Sequence, residues 1–212
     1  MALETRADTG DGRRRAPSVA RNREPIRDVF GQEGLVTGRV LEIASGTGEH
    51  GAFLTECFPG LVWTYSDIDP EGRASQEAWR LAAGHDRLLG PLVVDVSADG
   101  WNRTGDGEWD LIVCINMIHI SPFAATEGLL RGAGRQLKPG GHLFLYGPYA
   151  RNGEIAPSNA AFSENLKSRD PAWGVRDLDR EIVPLALAQG LRLSRAIEMP
   201  ANNLCVIFER TA

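Results

Sequence analysis

The chain of 212 residues has few of the features that mark membrane, secreted or nucleic-acid-binding proteins. No apolar run reaches the ~20 residues that a membrane-spanning helix needs, and the N-terminus lacks the apolar stretch of a signal peptide. The three cysteines stand far apart, which fits neither a zinc site nor a disulfide framework. The net charge of −5 also lacks the basic excess that nucleic-acid binding usually requires. We therefore expect a cytoplasmic protein with reduced thiols and with neither a nucleic-acid nor a membrane partner.

What the sequence does contain is a regular alternation of short apolar segments and helical ones. Apolar runs bounded by Gly, Pro and polar turns predict strands at 39–44, 61–66, 88–94, 110–115 and 142–146. Start and stop signals predict helices at 18–30, 49–58, 70–83, 121–137 and 177–189. Two closing strands are predicted at 191–198 and 203–209, and they lie too close together for a helical crossover. They should therefore pair antiparallel to each other.

This order of elements predicts an α/β fold, a Rossmann-like doubly wound sheet of seven mostly parallel strands with an antiparallel C-terminal hairpin. Right-handed crossovers would place a ligand crevice at the carboxyl ends of the first and fourth strands. We expect a disordered polar tail at 1–17 and then a single domain at 18–212, as a monomer or a homodimer. The three arginines at 13–15 fit either a solvated tail or a partner-binding patch. Residues 150–176 lack apolar periodicity and form a candidate lid.

The main functional signal is a glycine-rich loop between the first strand and the helix that follows it, in the segment Glu42-Ile-Ala-Ser-Gly-Thr-Gly-Glu-His50. Gly46 and Gly48 allow the backbone to turn sharply and allow a ligand to approach it closely. The start of the next helix offers unpaired N–H groups to an electron-rich ligand. Such loops also occur in other nucleotide-binding domains, so the loop alone does not identify the ligand.

Acidic residues follow the next two strands. Asp67 stands about 20 residues past the glycines at a strand end, where a ribose needs an acceptor. Asp69 precedes Pro70 and is the better candidate for a helix N-cap. Asp95, past the third strand, could accept from an adenine amine or could serve as a turn residue. The pair Asp67 and Asp69 has no evident third ligand, so we expect no metal.

Together with the turn Lys138-Pro-Gly-Gly141, these segments resemble the class I S-adenosylmethionine-dependent methyltransferases. The resemblance implies S-adenosylmethionine as cofactor and S-adenosylhomocysteine as product. One departure is visible, because Ala44 stands where the family has its first glycine. The implied cofactor-binding residues lie along the first four strand ends: Glu42, Ala44, Ser45, Gly46, Thr47, Gly48, His50, Asp67, Ile68, Asp95, Val96, Asn116 and Met117.

A second resemblance covers nearly the whole chain. The phrase LEIASGTGEHGAFL and the segments at 20–26, 66–69, 157–159 and 173–177 are similar to the methyltransferase-like protein 26 family. That likeness implies the same fold and cofactor, and it implies no particular substrate.

Methyl transfer from a sulfonium is an in-line displacement, so the protein must mainly hold the acceptor at ~3–3.5 Å and exclude water. A base is needed only if the acceptor has a proton to lose. The strand ends supply His119, Tyr146 and Tyr149 as catalytic candidates, although His119 could equally be a half-buried histidine and Tyr146 could be core. His50 is more plausibly a residue that shapes the cofactor loop. Further acceptor contacts are expected from Arg21, Asn22 and Asn159.

Three functions fit these observations. The first is methyl transfer to a small-molecule acceptor, such as a natural product or a metabolite. The second is a non-catalytic protein that binds S-adenosylmethionine, and the third is an enzyme that uses the same scaffold for other chemistry, such as ring closure. A nicotinamide oxidoreductase is disfavoured by the Pro-Gly-Gly turn and by a glycine loop without its third glycine.

Overall fold

The computed structural model describes residues 7–98, 100–101 and 109–211. The chain divides into two compact units, Met1–Val94 and Asp95–Ala212. Within the described ranges, no helix has both the length and the apolar character that crossing a membrane requires. The expectation of one domain over residues 18–212 stays a prediction.

Over residues 7–94, the first unit contains a short hairpin, three helices and three parallel strands. Strand β4 lies between β3 and β5 and pairs with both in parallel. In chain order the elements are β1 (Ala7–Asp8), β2 (Arg14–Arg15), α1 (Pro17–Gln32), β3 (Thr37–Ile43), α2 (Glu49–Cys57), β4 (Gly60–Ser66), α3 (Pro70–Ala82) and β5 (Leu88–Leu92). The strands and helices predicted for this half are confirmed, with bounds shifted by one or two residues.

The hairpin of β1 and β2 corrects one expectation. Composition predicted a disordered tail over 1–17, but Ala7 pairs with Arg15 and Asp8 pairs with Arg14 in an antiparallel arrangement. Contacts with residues far away along the chain stabilise this hairpin, and the composition of residues 1–17 does not reveal such contacts. The first six residues of the predicted tail lie outside the described residues.

The start of helix α3 is marked by a capping carboxylate and a proline, which made this boundary predictable from the sequence. The Asp69 carboxylate accepts hydrogen bonds from the backbone N–H groups of Glu71 at 3.1 Å and Gly72 at 3.2 Å. Pro70 occupies the first turn, where no intrahelical donor is needed. The predicted N-cap role of Asp69 is therefore confirmed.

The second unit combines parallel and antiparallel strands. Strand β6 pairs in parallel with β7, whereas β10 lies between β7 and β9 and pairs antiparallel with both. Its elements are β6 (Trp109–Ile115), α4 (Phe123–Gln136), β7 (Leu137–Ala150), α5 (Pro157–Lys167), β8 (Arg176–Asp177), α6 (Val183–Ala188), β9 (Leu191–Met199) and β10 (Asn203–Arg210). The predicted fold class, α/β and Rossmann-like with an antiparallel C-terminal hairpin, is confirmed.

The segment at 150–176 is more regular than its sequence suggested. Helix α5 occupies eleven residues of it and buries Asn159, Ser163 and Leu166. The absence of apolar periodicity therefore did not mean the absence of a helix. Whether this segment moves as a lid stays a prediction.

Candidate functional site

The glycine loop joins β3 to α2 in a strained backbone path. Ala44, Gly46 and Gly48 have φ angles of 55°, 58° and 86°, in the left-handed region that favours glycine. A Cβ on Gly48 would lie 3.1 Å from the Cα of Gln76 in α3. Gly46 and Gly48 are therefore favoured by their left-handed backbone conformation. At Gly48 a side chain would also be crowded by α3. Ala44 adopts the same backbone region with a side chain.

The Asp67 carboxylate holds the loop against the end of β4. It accepts hydrogen bonds from the backbone N–H of Gly46 at 2.9 Å and of Asp69 at 2.9 Å. The residue is buried, with 6% of its surface exposed. An ionised carboxylate offers about four acceptor positions. The Gln76 amide nitrogen is a third donor, 3.5 Å from Oδ2, and the acceptor capacity that remains on Asp67 is available to a bound ligand.

Glu42 is the buried acid at the end of β3. Its Oε2 accepts a hydrogen bond from the indole N–H of Trp63 at 3.0 Å. Burial raises the pKa of Glu42 from 4.5 to about 8, and the Trp63 hydrogen bond opposes that rise. The side chain is thus a largely neutral hydrogen-bonding group near pH 7, and it is not a fixed negative charge beside the loop.

His50, in the first turn of α2, pairs with Asn22 of α1 at 2.9 Å between Nε2 and Oδ1. Burial, together with nearby Arg23, lowers the pKa of His50 to about 4, so the imidazole is neutral. The structure therefore brings the predicted Asn22 to the predicted His50. Arg21, by contrast, is exposed on α1.

Two large apolar side chains are exposed where β4 and β5 end. Ile68 is 62% exposed and Val93 is 65% exposed. The two ends are joined by a hydrogen bond from the Asp67 N–H to the carbonyl of Leu92 at 3.1 Å. Such neighbouring apolar side chains next to an acid suit a flat ligand with a polar edge. The sequence pointed to Ile68, whereas Val93 lay inside the strand predicted at 88–94 and was not recognised as a site residue.

In the second unit, His119 and Tyr149 form a buried polar pair. Their rings meet edge to face with centroids 5.1 Å apart. Within the described residues, neither ring nitrogen of His119 nor the Tyr149 hydroxyl has a hydrogen-bond partner. Burial lowers the pKa of His119 to about 3 and raises that of Tyr149 well above 10. Both groups are therefore neutral near pH 7, and each can still donate and accept hydrogen bonds.

Arg176 of β8 stabilises the turn that contains His119. Its guanidinium donates to the backbone carbonyl oxygens of Ile118 at 3.1 Å and Ser121 at 2.8 Å. The N–H of Gly174 donates to the carbonyl oxygen of His119 at 2.9 Å. Arg176 entered the sequence-based prediction only as the last residue of the candidate lid at 150–176, because nothing in the sequence reveals these long-range contacts.

Four further predicted residues of the second unit lie in a turn, in strand β7 and in helix α5. Asn116 has a left-handed φ of 63°, its N–H donates to the carbonyl of Tyr146 at 2.8 Å, and Met117 starts the short 3₁₀ turn after it. Tyr146 is buried in β7 between β6 and β10. The Asn159 amide donates to the carbonyl of Asn202 at 2.8 Å, which gives this side chain a structural contact.

Asp95 is exposed and organises its own turn. Its Oδ1 accepts from the N–H of Ser97 at 2.9 Å and from the Ser97 hydroxyl at 2.6 Å. Val96 is buried beside it. These contacts match the turn reading of Asp95, and an exposed carboxylate can still accept from a ligand amine.

Two curated methyltransferases share sequence with the chain. Ubiquinone biosynthesis O-methyltransferase of Thiobacillus denitrificans is 28% identical over 188 residues, which are 84% of this chain and 75% of that protein. Ribosomal RNA small subunit methyltransferase C of Pseudomonas entomophila is 31% identical over 116 residues, or 53% of this chain. That match spans 33% of the ribosomal RNA enzyme, so it concerns only part of its length.

Solved structures give the likeness of fold. An O-methyltransferase family protein from Burkholderia thailandensis matches with a TM-score of 0.76 at 18% identity, covering 92% of this chain and 58% of that one. Human N-acetylserotonin methyltransferase in complex with SAM matches with a TM-score of 0.68 at 16% identity, covering 90% of this chain and 55% of that one. The chain thus spans little more than half of either protein. It has the class I methyltransferase fold.

A family model extends along almost the whole chain. The match runs over residues 13–210 and so includes most of both units. Over that span the chain belongs to the family described as Protein of unknown function (DUF938).

Proposed function

We propose that this chain binds S-adenosylmethionine and transfers its methyl group to a small-molecule acceptor. The observation that carries the proposal is the bond between the Gly46 N–H and the Asp67 carboxylate, at 2.9 Å. It unites the two features, glycine loop and strand-end acid, that the sequence independently associated with this cofactor. The fold shared with a methyltransferase in complex with SAM supports the same cofactor.

The first unit supplies groups that suit most parts of such a cofactor. The N–H groups at the start of α2 would face an electron-rich part of the ligand. Asp67 would accept from the ribose hydroxyls, since its carboxylate has acceptor capacity left. The exposed side chains of Ile68 and Val93 would cover the adenine ring. Glu42, Ala44, Ser45, Thr47 and His50 would shape the loop around these contacts, while Asp95, Val96, Asn116 and Met117 complete the proposed set.

The bound cofactor supplies an activated methyl group, so the chain's own residues need mainly to position the acceptor. His119 and Tyr149 are the proposed acceptor contacts, because both are buried and lack partners among the described residues. An unpaired buried polar group costs about 1–3 kcal/mol, which a ligand hydrogen bond would recover. A neutral imidazole beside a phenol can accept a hydrogen bond from an acceptor hydroxyl while the phenol donates to its oxygen. Tyr146, Arg21, Asn22 and Asn159 stay weaker candidates.

A small-molecule acceptor is proposed because of the net charge of the chain and because of the relatives that share its sequence. The net charge of −5 disfavours a nucleic-acid acceptor. The O-methyltransferase of ubiquinone biosynthesis aligns over a larger share of both chains than the ribosomal RNA enzyme does. The resemblance to the methyltransferase-like protein 26 family agrees with the cofactor and leaves the acceptor open.

Calorimetry and labelling test the proposal together. S-adenosylmethionine and S-adenosylhomocysteine should bind the purified chain, whereas NAD should give no heat of binding. A cell extract incubated with the chain and a methyl-labelled donor should then yield a labelled small molecule. The His119→Ala variant should lose that product while keeping cofactor affinity. Failure to bind either S-adenosyl ligand would refute the proposal, and binding without any labelled product would favour a non-catalytic cofactor-binding protein.

A further inference from the structure

The N-terminal strap, residues 7–16, packs against α3 through its arginines. The guanidinium groups of Arg13 and Arg15 lie 4.8 and 4.9 Å from the ring centroid of Trp79. The indole N–H of Trp79 donates to the carbonyl oxygen of Arg14 at 3.2 Å. Arg14 also forms an ion pair with Glu71 at 2.9 Å. The arginine run is thus docked on α3, and its interpretation as a partner-binding patch stays a prediction.

Two hydrogen-bond relays lead from the strap to Thr47, the residue between the two glycines of the loop. In the first, the Ser75 hydroxyl accepts from the Arg14 N–H at 2.9 Å and donates to the Thr47 carbonyl at 2.7 Å. In the second, Oε2 of Glu49 accepts from the Ala16 N–H at 2.6 Å and from the Thr47 hydroxyl at 3.2 Å. Through Ser75 and Glu49, the strap is therefore connected to both the carbonyl and the hydroxyl of the same loop residue.

The residues that form these two relays are buried. Thr47, Ser75 and Glu49 are 4%, 1% and 5% exposed. Arg15 adds a 3.6 Å ion pair to the other oxygen of Glu49. If the strap left, a buried carboxylate and a buried hydroxyl would each lose a partner, and such groups are costly to leave unpaired. The loop would then have to rearrange or take in water.

Trp79 gives the strap a third connection to the loop. A Cβ on Gly48 would lie 3.4 Å from Cδ1 of Trp79, so the indole lies against the loop while the two guanidinium groups lie against its ring. The contacts come from one face of α3, formed by Gly72, Ser75, Gln76 and Trp79 at helical spacing.

We propose that the N-terminal strap is a positioning element of the glycine loop, so that strap docking and cofactor binding stabilise each other. This inference rests on the proposed function, because it takes the loop to be the cofactor site. Coupling of this kind is reciprocal, and its usual size is 5–150-fold, or about 1–3 kcal/mol. A ligand on the loop must therefore hold the strap down by the same factor by which the strap tightens the ligand.

Limited proteolysis measures the coupling without any enzymatic assay. Trypsin cuts after Arg13, Arg14 and Arg15 only when the strap has left α3. Saturating S-adenosylhomocysteine should slow this cleavage at least fivefold in the native chain. The Asp67→Asn variant should reach the same protection only at a ligand concentration about tenfold higher, in line with its weaker affinity. Equal cleavage rates with and without ligand, in a chain that calorimetry shows to be saturated, would overturn the inference and leave the proposed function standing.

Variants of α3 test the reverse direction. Trp79→Ala and Ser75→Ala should each weaken S-adenosylhomocysteine binding at least fivefold, and Trp79→Phe should recover most of the loss because it keeps an aromatic ring beside the two guanidinium groups. Glu209→Gln, which breaks the Arg192–Glu209 pair between β9 and β10, is the matched control and should bind normally. Thermal melts check that each variant is folded. Unchanged affinity in both alanine variants would also overturn the inference.

Discussion

Asp67 and Asp69 are two residues apart and have different tasks because their backbones differ in position. Asp69 precedes α3 and caps it, while Asp67 ends β4 and holds the glycine loop. The sequence allowed this division to be predicted, since Pro70 marks the helix start and the strand end marks the other acid. The hydrogen bond from Asp67 to the loop itself could not be predicted, because it depends on how two separate elements pack.

The Asp67→Asn change should weaken S-adenosylhomocysteine binding by roughly tenfold or more. It removes the charge from hydrogen bonds that are each worth about 1.5–3 kcal/mol when one partner is ionised. Isothermal titration calorimetry gives the affinity. The control is Asp69→Asn, which keeps an N-cap side chain and should bind as the native chain does. A change of less than threefold in Asp67→Asn would remove the ribose role from this residue.

Glu42 should make the native chain less stable as the pH rises. The folded chain keeps a proton on Glu42 up to about pH 8, whereas the ordinary pKa of this carboxyl is 4.5. Folding therefore takes up a proton between these values, and the free energy of unfolding should fall from pH 5 to pH 8 by an amount on the order of 4 kcal/mol. Urea titrations at several pH values measure this slope.

The Glu42→Gln variant provides the comparison for that slope. Glutamine can still accept the Trp63 hydrogen bond but has no proton to lose. The variant should therefore show a flatter dependence on pH and should be more stable than the native chain at pH 8. Parallel slopes in the two proteins would show that Glu42 titrates normally in the folded state.

Among the elements, those with local signals could be predicted and those held by distant contacts could not. Strands β3, β4 and β6 are apolar runs with turn residues at their ends, and the sequence was enough to place them. The β1–β2 hairpin was missed because its residues are polar and charged, and its stability comes from Trp79 and Ser75 some sixty residues away. Glycine and charge predict disorder only where no such partner exists.

Helix α5 was missed for a different reason. Its buried positions, Asn159, Ser163 and Leu166, have the spacing of one helical face. Two of the three carry polar side chains, so a search for apolar periodicity does not detect the face. The polar groups are satisfied by tertiary contacts, Asn159 with Asn202 and Ser163 with Val175.

The segment around α5 should become more protected when ligand binds, if it acts as the predicted lid. Amide hydrogen exchange at 155–175 should slow when S-adenosylhomocysteine is added, and slow further with the true acceptor. The amides of β10 serve as an internal reference, because this strand is paired on both sides, with β7 and with β9. Identical exchange of the 155–175 amides with and without ligand would mean that the segment is a passive connection.

At the scale of the whole molecule, cofactor binding should appear as thermal stabilisation. A ligand at 100 times its dissociation constant adds about 2.7 kcal/mol to the free energy of unfolding. For a chain of this length that predicts a rise in Tm of roughly 5–10 °C. Differential scanning calorimetry with S-adenosylhomocysteine should show this rise, and NAD at the same concentration should not. Stabilisation by NAD alone would instead favour a nicotinamide enzyme.

The candidate site could be predicted only in part at this scale. Residues of the loop and the strand ends were found because a Rossmann-like topology places ligand contacts at the carboxyl ends of strands. The strap, Arg176 and Val93 were not found, since their places depend on packing between segments distant in sequence. Ala44 shows a different limit of prediction from sequence. Its φ of 55° lies in the left-handed region that favours glycine, but the residue is alanine.

The position of β10 has a consequence for how the chain is made. This strand lies between β7 and β9, yet it is translated after both. While β10 is still inside the ribosome, β9 lacks its partner strand and the edge of β7 that β10 will cover is open. Open strand edges pair readily with other chains. During synthesis the second unit therefore passes through a stage that is prone to aggregation, and a chaperone that shields β7 would act at that stage.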